Sequence, residues 1–388
     1  MALTTPAVSA APAAARPAGQ ENALRRLHEL GQSIWLDFIS RELITSGELD
    51  RLIDLGLLGM TSNPTIFEKA IAGSTAYDAQ LAALARQGLA PQAIFEALAV
   101  QDIQDAADRL RPVYDRLDGA DGFVSLEVSP ALAYATAATV AEVERLWREV
   151  SRPNVMIKIP ATLEGLPAIA RSIARGINVN VTLLFDVDRY EAVVNAYFEG
   201  LEERVAAGQP IDRIASVASF FVSRVDTAVD KLLAQRPEHA HLLGTAAVAN
   251  AKVAYERFER LFASPRFARL RDKGARIQRV LWASTSTKNP AYPDLKYVEP
   301  LIGPHTINTV PPATLEAILD HATVRLSIRD GREEAHAQLA ALAAAGIDLK
   351  AVTKQLEDEG VAAFARSYEE LLATIGQKAG ELAAARGA

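Results

Sequence analysis

The chain has 388 residues, of which 49% are hydrophobic and 23% charged, with a formal net charge of −7. This is enough for a large globular core, and the acidic balance gives no reason to expect nucleic acid or an anionic membrane surface as a partner. Cysteine is absent, which excludes disulfides, thiolate catalysis and cysteine metal sites, and no apolar run is long enough to span a bilayer.

Residues 1–20 are rich in Ala, Pro, Ser and Thr, and Pro6, Pro12 and Pro17 interrupt them. They lack a basic start and a continuous apolar stretch, so they read as a disordered tail and not as a signal peptide. A cytoplasmic protein is the expectation. Beyond the tail, short apolar segments alternate with longer amphipathic ones. Strands are expected at 34–38, 57–62, 123–128, 155–160, 177–183, 214–219, 280–284 and 306–310. Helices are expected at 49–55, 91–117, 131–150, 166–174, 190–206, 226–233, 246–262 and 313–322, from apolar residues at helical spacing. Residues 333–388 read as helical, alanine-rich and free of strands. Alternating strands and helices predict a parallel sheet, and about eight strands close a barrel. The expected fold is one α/β domain over 21–388, a (β/α)8 TIM barrel with additional C-terminal helices on its rim.

The strands carry a second pattern. Asn178, Asn180 and Thr182 alternate with Ile177, Val179, Val181 and Leu183; Ser125, Glu127 and Ser129 alternate with Val124, Leu126 and Val128. Side chains alternate across a strand, so each polar set shares one face. An antiparallel sheet with one wet face would show the same alternation, but the long intervening helices argue for a barrel. Helices cover its outside, so the polar faces point inward. Barrel interiors are usually filled with branched apolar side chains, and the C-terminal strand ends carry the chemistry. A polar interior therefore marks a site. The same parity turns Lys158 and Asp37 inward.

Lys158 lies in the apolar run 154–162. Burying its charge is costly unless it is paired. A lysine deprived of water gives up its proton more readily, and a neutral amine attacks carbonyls. The ordinary alternative is a strand-end lysine whose ammonium reaches water. Asp37, Glu127, Asn63, Asn180 and Thr182 beside it favour the chemical reading. Such a set holds an amine to condense with a ketone, carboxylates to move protons and amides to hold hydroxyls. His239 and His241 stand in a polar connection without a carboxylate cluster, so no metal is expected. No strand is followed by a Gly-x-Gly-x-x-Gly turn, so no dinucleotide is expected, and no cofactor is assigned.

The motifs Trp35-Leu36-Asp37, Gly59-Met60-Thr61-Ser62-Asn63-Pro64-Thr65, Ser125-Leu126-Glu127-Val128 and Ile157-Lys158-Ile159-Pro160-Ala161-Thr162 follow one another along the chain. Asn178 to Phe185, Ser219 to Asp226 and Trp282 to Pro290 come next. In sequence and order these segments resemble the transaldolase family, in its longer bacterial type, from about Ile34 to the C-terminus. The resemblance implies transfer of a dihydroxyacetone unit between phosphorylated sugars in the non-oxidative pentose phosphate pathway. By that resemblance Lys158 is the Schiff-base lysine, and Glu127 shuttles protons through a water held by Thr182. Asp37 takes the proton from the substrate C4 hydroxyl. Asn63 and Asn180 hold the dihydroxyacetone unit, and Ser219, Arg224 and Lys288 match the phosphate site. Many family members carry Arg where this chain has Lys288, and lysine lacks the bidentate fork. Arg224 could instead pair with Asp226. Phe221 stands where the related fructose-6-phosphate aldolases carry Tyr, and Glu127 where they carry Gln. Two alternatives stay open: an aldolase that releases free dihydroxyacetone, and a catalytically silent sugar-phosphate-binding barrel. The expected partners are sugar phosphates, with neither nucleic acid nor membrane, and a homodimer is compatible with the sequence.

Overall fold

The computed structural model describes residues 21–384; the tail expected over residues 1–20 lies outside them. The apolar runs form β1 (Gln32–Leu36), β2 (Gly59–Met60), β3 (Phe123–Glu127), β4 (Val155–Pro160), β5 (Val179–Leu184), β6 (Ser216–Phe221), β7 (Arg279–Ala283) and β8 (Thr306–Val310). Each pairs in parallel with the next, and β8 pairs with β1, so the sheet closes into a barrel. Helices such as Thr136–Val150, Gly165–Ala174, Val187–Ala206 and Ala246–Phe262 follow the strands. This is the expected (β/α)8 architecture.

β4 and β8 occupy the expected residues. β2 does not: it keeps only two residues of the expected 57–62. Pro64 has no N–H for a ladder, and Asn63 already caps the helix Pro64–Ala72 by accepting from the Ile66 N–H. β5 and β6 start two residues later than expected and run on to Leu184 and Phe221. The short helices Ala23–Glu29, Arg41–Thr45, Asp78–Arg86 and Pro265–Arg271 were not expected. They span too few turns to show periodicity, although Asn22, Ser40 and Ser264 mark three of their starts as capping residues.

The barrel interior is layered. Trp35 of β1 points in and occupies its lower half. Its indole N–H donates to Asp121 Oδ1 at 2.7 Å, and Asp121 also accepts from Ser33 and, at 2.8 Å, from Arg279. Gly59 of β2 makes room for the ring: a Cβ there would stand 2.5 Å from Trp35 Cε2. This layer lies beneath Asp37, which follows Trp35 on the same face and lines the cavity at the C-terminal mouth.

The last helix, Leu349–Ala384, crosses that mouth. Ser367 meets Thr65 at 2.8 Å, Lys378 donates to the carbonyls of Ile71 and Ser74, and Glu357 lies 3.6 Å from Arg189. Among the described residues no helix is long and apolar enough to cross a membrane.

Candidate active site

Register sets the centre of the site. Glu127 of β3 pairs with Lys158 of β4, and Lys158 with Asn180 of β5, so three polar side chains stand side by side on the inner face. Lys158 is 5% exposed. Its Nζ donates to the Ser62 carbonyl at 2.9 Å and lies 3.6 Å from Glu127 Oε2, an ion pair slightly too long for a hydrogen bond. Glu127 Oε2 and Thr182 Oγ1 are both buried, and neither has a hydrogen-bond partner among the described residues. Buried polar atoms rarely stay unsatisfied unless a ligand or water serves them.

Asp37 follows the end of β1 and turns a carboxylate oxygen to the Thr61 hydroxyl at 2.7 Å. Thr61 in turn lies 2.7 Å from Thr309 Oγ1 on β8. Part of the Asp37 surface faces the cavity, yet the surrounding protein excludes most water from it. Burial raises the carboxyl pKa of both Asp37 and Glu127 above the ordinary range. The charge of Lys158 opposes that rise in both, while Asp37 pushes Glu127 further up. One ammonium thus serves two carboxyl groups that resist ionisation.

Above them a cavity of about 200 Å³ opens, with Asp37, Asn63, Lys158, Thr182, Ser219 and Arg224 on its wall. Phe221 and Lys288 also line it. Asn63 spends its carboxamide oxygen on the helix cap, which leaves its N–H donors for a ligand. Asn180 does not reach the cavity wall. It is fully buried one layer down, donating to Ser125 Oγ at 2.9 Å and accepting from Ser219 Oγ at 2.7 Å. Its reach to the cavity is therefore indirect, through Ser219.

Two cations lie at the opposite side from Glu127. Arg224 is half-buried, with its guanidinium carbon 5.0 Å from the centre of the Phe221 ring, a cation–π distance. It does not pair with Asp226, which instead accepts from the Ala247 N–H at 2.7 Å and the Tyr297 hydroxyl at 2.9 Å. Burial lowers the Arg224 pKa and Asp37 opposes that shift. Lys288 is exposed and donates to Ser286 Oγ at 2.6 Å. It supplies a point charge at the rim, while Arg224 supplies a rigid fork inside.

Sequence reasoning missed Thr61, Ser284, Ser286, Thr309 and Phe364, which also line the wall. Thr61 shares the parity of Asn63, and Thr309 that of the inward face of β8, so both were within reach of the alternation argument. Phe364 gave no signal. It comes from the last helix, far from any strand motif. His239 and His241 face each other on a short 3-10 turn, ring centres 6.4 Å apart. Among the described residues no group of three or more metal-binding side chains is found.

The pattern of a family described as Transaldolase/Fructose-6-phosphate aldolase matches residues 34–375. The chain belongs to this family. It is 52% identical over 355 residues to a transaldolase of Acidothermus cellulolyticus, across 91% of this chain and 95% of the relative. It is 51% identical over 364 residues to a transaldolase of Parafrankia, across 93% and 99% of the two chains. With transaldolase 2 of a Nostoc species it shares 46% over 368 residues, across 91% and 97%.

Proposed function

We propose that this family member is a transaldolase working through an imine on Lys158. It moves a dihydroxyacetone unit from sedoheptulose 7-phosphate or fructose 6-phosphate to glyceraldehyde 3-phosphate or erythrose 4-phosphate, in the non-oxidative pentose phosphate pathway. The observation that carries this reading is the buried Lys158 amine beside Glu127, under a cavity with Asp37 on one wall and Arg224 on another.

The steps follow from the positions. The Lys158 amine, freed of its proton, adds to the ketose C2 carbonyl. The carbinolamine loses its hydroxyl as water, with protons passed by Glu127 and a water on Thr182, each of which has a buried oxygen without a hydrogen-bond partner among the described residues. The resulting iminium draws electrons. Asp37 takes the C4 hydroxyl proton, the C3–C4 bond breaks, and the aldose leaves as its aldehyde. The C3 electron pair is held as an enamine on Lys158 until a second aldehyde accepts it, and the steps then reverse. Ser219 and Asn63 hold the short end of the substrate, and Arg224 and Lys288 its phosphate. Transfer is favoured over release because Phe221, packed against Phe185 with ring centres 5.1 Å apart and under Arg224, offers no hydroxyl to a water attacking the imine.

Borohydride with fructose 6-phosphate tests this. A three-carbon adduct should appear on Lys158 by peptide mapping, and a six-carbon adduct in Asp37→Ala, which forms the imine without cleaving it. An adduct on Lys288, or none, overturns the assignment. Cleavage of fructose 6-phosphate as fast without erythrose 4-phosphate as with it would make the protein a free aldolase instead.

A further inference from the structure

β5 is irregular beside the reactive lysine. Val181 pairs with Ala218 but Leu184 with Phe220, so β5 holds one residue more than β6 between those pairs, which is a bulge. Leu183 absorbs it with a left-handed backbone, φ 57°, a conformation that leucine rarely adopts. The residue before it is Thr182. Its carbonyl accepts from the N–H of Ala161, just past β4, at 2.8 Å, and its hydroxyl is buried without a hydrogen-bond partner among the described residues. Bulges re-aim side chains, and strained backbone persists only where its surroundings hold it.

The surroundings here are the last helix. Leu183 is 2% exposed, and its side chain lies against Gly360. A Cβ on Gly360 would stand 2.8 Å from Leu183 Cδ2. Glycine inside a helix is unfavourable compared with alanine, so its presence there calls for a reason. Gly376 and Gly380 of the same helix have none of this kind: a Cβ would be 3.5 Å from Pro91 at the first and meet nothing within 4 Å at the second. One and two helical repeats beyond Gly360, on the same face, Phe364 lines the active cavity and Tyr368 lines a small chamber behind Glu127. The face that carries Gly360 is the face turned to the chemistry.

We propose that Gly360 is a positioning residue for catalysis: its missing side chain lets Leu183 seat the β5 bulge that aims Thr182 at the Lys158–Glu127 pair. This rests on the proton-handling role proposed above for Thr182. Gly360→Ala would press on Leu183 Cδ2, the side chain that follows Thr182 in the bulge, while adding a better helix former.

The test uses the full chain and compares the parent, Gly360→Ala, Gly360→Ala/Leu183→Ala and Thr182→Val. The readouts are the rate of borohydride-trapped imine with fructose 6-phosphate, kcat, KM and the melting temperature. Gly360→Ala should slow imine formation about tenfold or more, the scale on which small displacements of a catalytic group act. Its KM should stay within about twofold, because substrate contacts are untouched. Its melting temperature should stay close to that of the parent, because the better helix former offsets much of the overpacking, and the double variant, which removes the clash, should recover most of the lost rate. A parental imine rate in Gly360→Ala overturns the proposal. So does a slow variant with a lowered melting temperature that Leu183→Ala does not rescue, since Gly360 would then serve packing alone. Thr182→Val separates the two levels. If it forms imine at the parental rate, the role of Thr182 fails and this inference with it. If it is slow while Gly360→Ala is not, only the inference fails.

Discussion

Replacing Thr61 by Val keeps the side-chain shape and removes one hydroxyl. In the parent that hydroxyl donates to Asp37 Oδ1 at 2.7 Å. With its single proton so used, it accepts from Thr309 Oγ1 at 2.7 Å, a chain whose members polarise one another. Burial raises the Asp37 carboxyl, and the Thr61 hydrogen bond acts against that rise together with the charge of Lys158. A hydrogen bond to a charged group contributes about 1.5–3 kcal/mol, and one pH unit corresponds to about 1.4 kcal/mol. Losing it should therefore move the Asp37 titration up by about one to two pH units. In the proposed mechanism Asp37 must be ionised to take the C4 hydroxyl proton. The acid limb of kcat/KM should shift to higher pH by that amount, while activity on the plateau persists. Thr309 loses its acceptor as well, at a cost of about 1 kcal/mol, small enough for the fold to survive. The assay is kcat/KM against pH with fructose 6-phosphate and erythrose 4-phosphate, beside the rate of borohydride-trapped imine, which should not follow the shift. An unmoved acid limb, with activity reduced equally at every pH, would refute both the hydrogen bond's role and Asp37 as the base.

Other consequences follow from the same geometry. Because burial raises the Asp37 pKa in the folded protein, the folded state keeps a proton that the unfolded chain has already lost, and stability falls as pH rises through the raised value. Asp37→Asn should thus raise the melting temperature near neutral pH, with the gain vanishing in acid; an equal gain at every pH would contradict this. Arg224→Ala should raise KM for sugar phosphates about tenfold or more, the value of a charge-assisted contact, with a smaller effect on unphosphorylated dihydroxyacetone. Equal losses on both would make Arg224 structural. Gly59→Ala forces a Cβ to within 2.5 Å of the Trp35 ring and should cost about 1–3 kcal/mol or more in denaturant unfolding; unchanged stability would mean that the ring moves freely.

What could be read before folding depended on the period of each segment. In β4 every residue is buried, so an apolar run marked the strand to the residue, and the alternation of two set Lys158 and Asp37 on the inner face. The same alternation gives a face but not a depth. It could not tell that Asn180 lies under Ser219 while Asn63 reaches the cavity. β2 came out shorter than expected because Asn63 turns from the strand to cap the helix that starts at Pro64, and the fit of Gly59 against Trp35, distant in sequence, left no local mark. Phe364 and Gly360 escaped for a related reason. Their helix shows ordinary helical spacing, and what distinguishes them is the strand they lie against.

In the mechanism proposed above, one lysine serves two carboxyl groups in turn. While Lys158 is an ammonium, its charge holds Asp37 and Glu127 towards ionisation against burial. When the amine gives up its proton to attack a ketone, both carboxyl groups lose that support, and Glu127, at 3.6 Å, is placed to take the proton. Formation of the iminium restores a positive charge at the same nitrogen. Asp37 then regains a cation near it at the stage when it must accept a proton from the C4 hydroxyl, and Arg224 adds to that field from the other side. In that mechanism the charge on a single nitrogen sets the timing of acid and base for two carboxyl groups that burial holds back from ionisation.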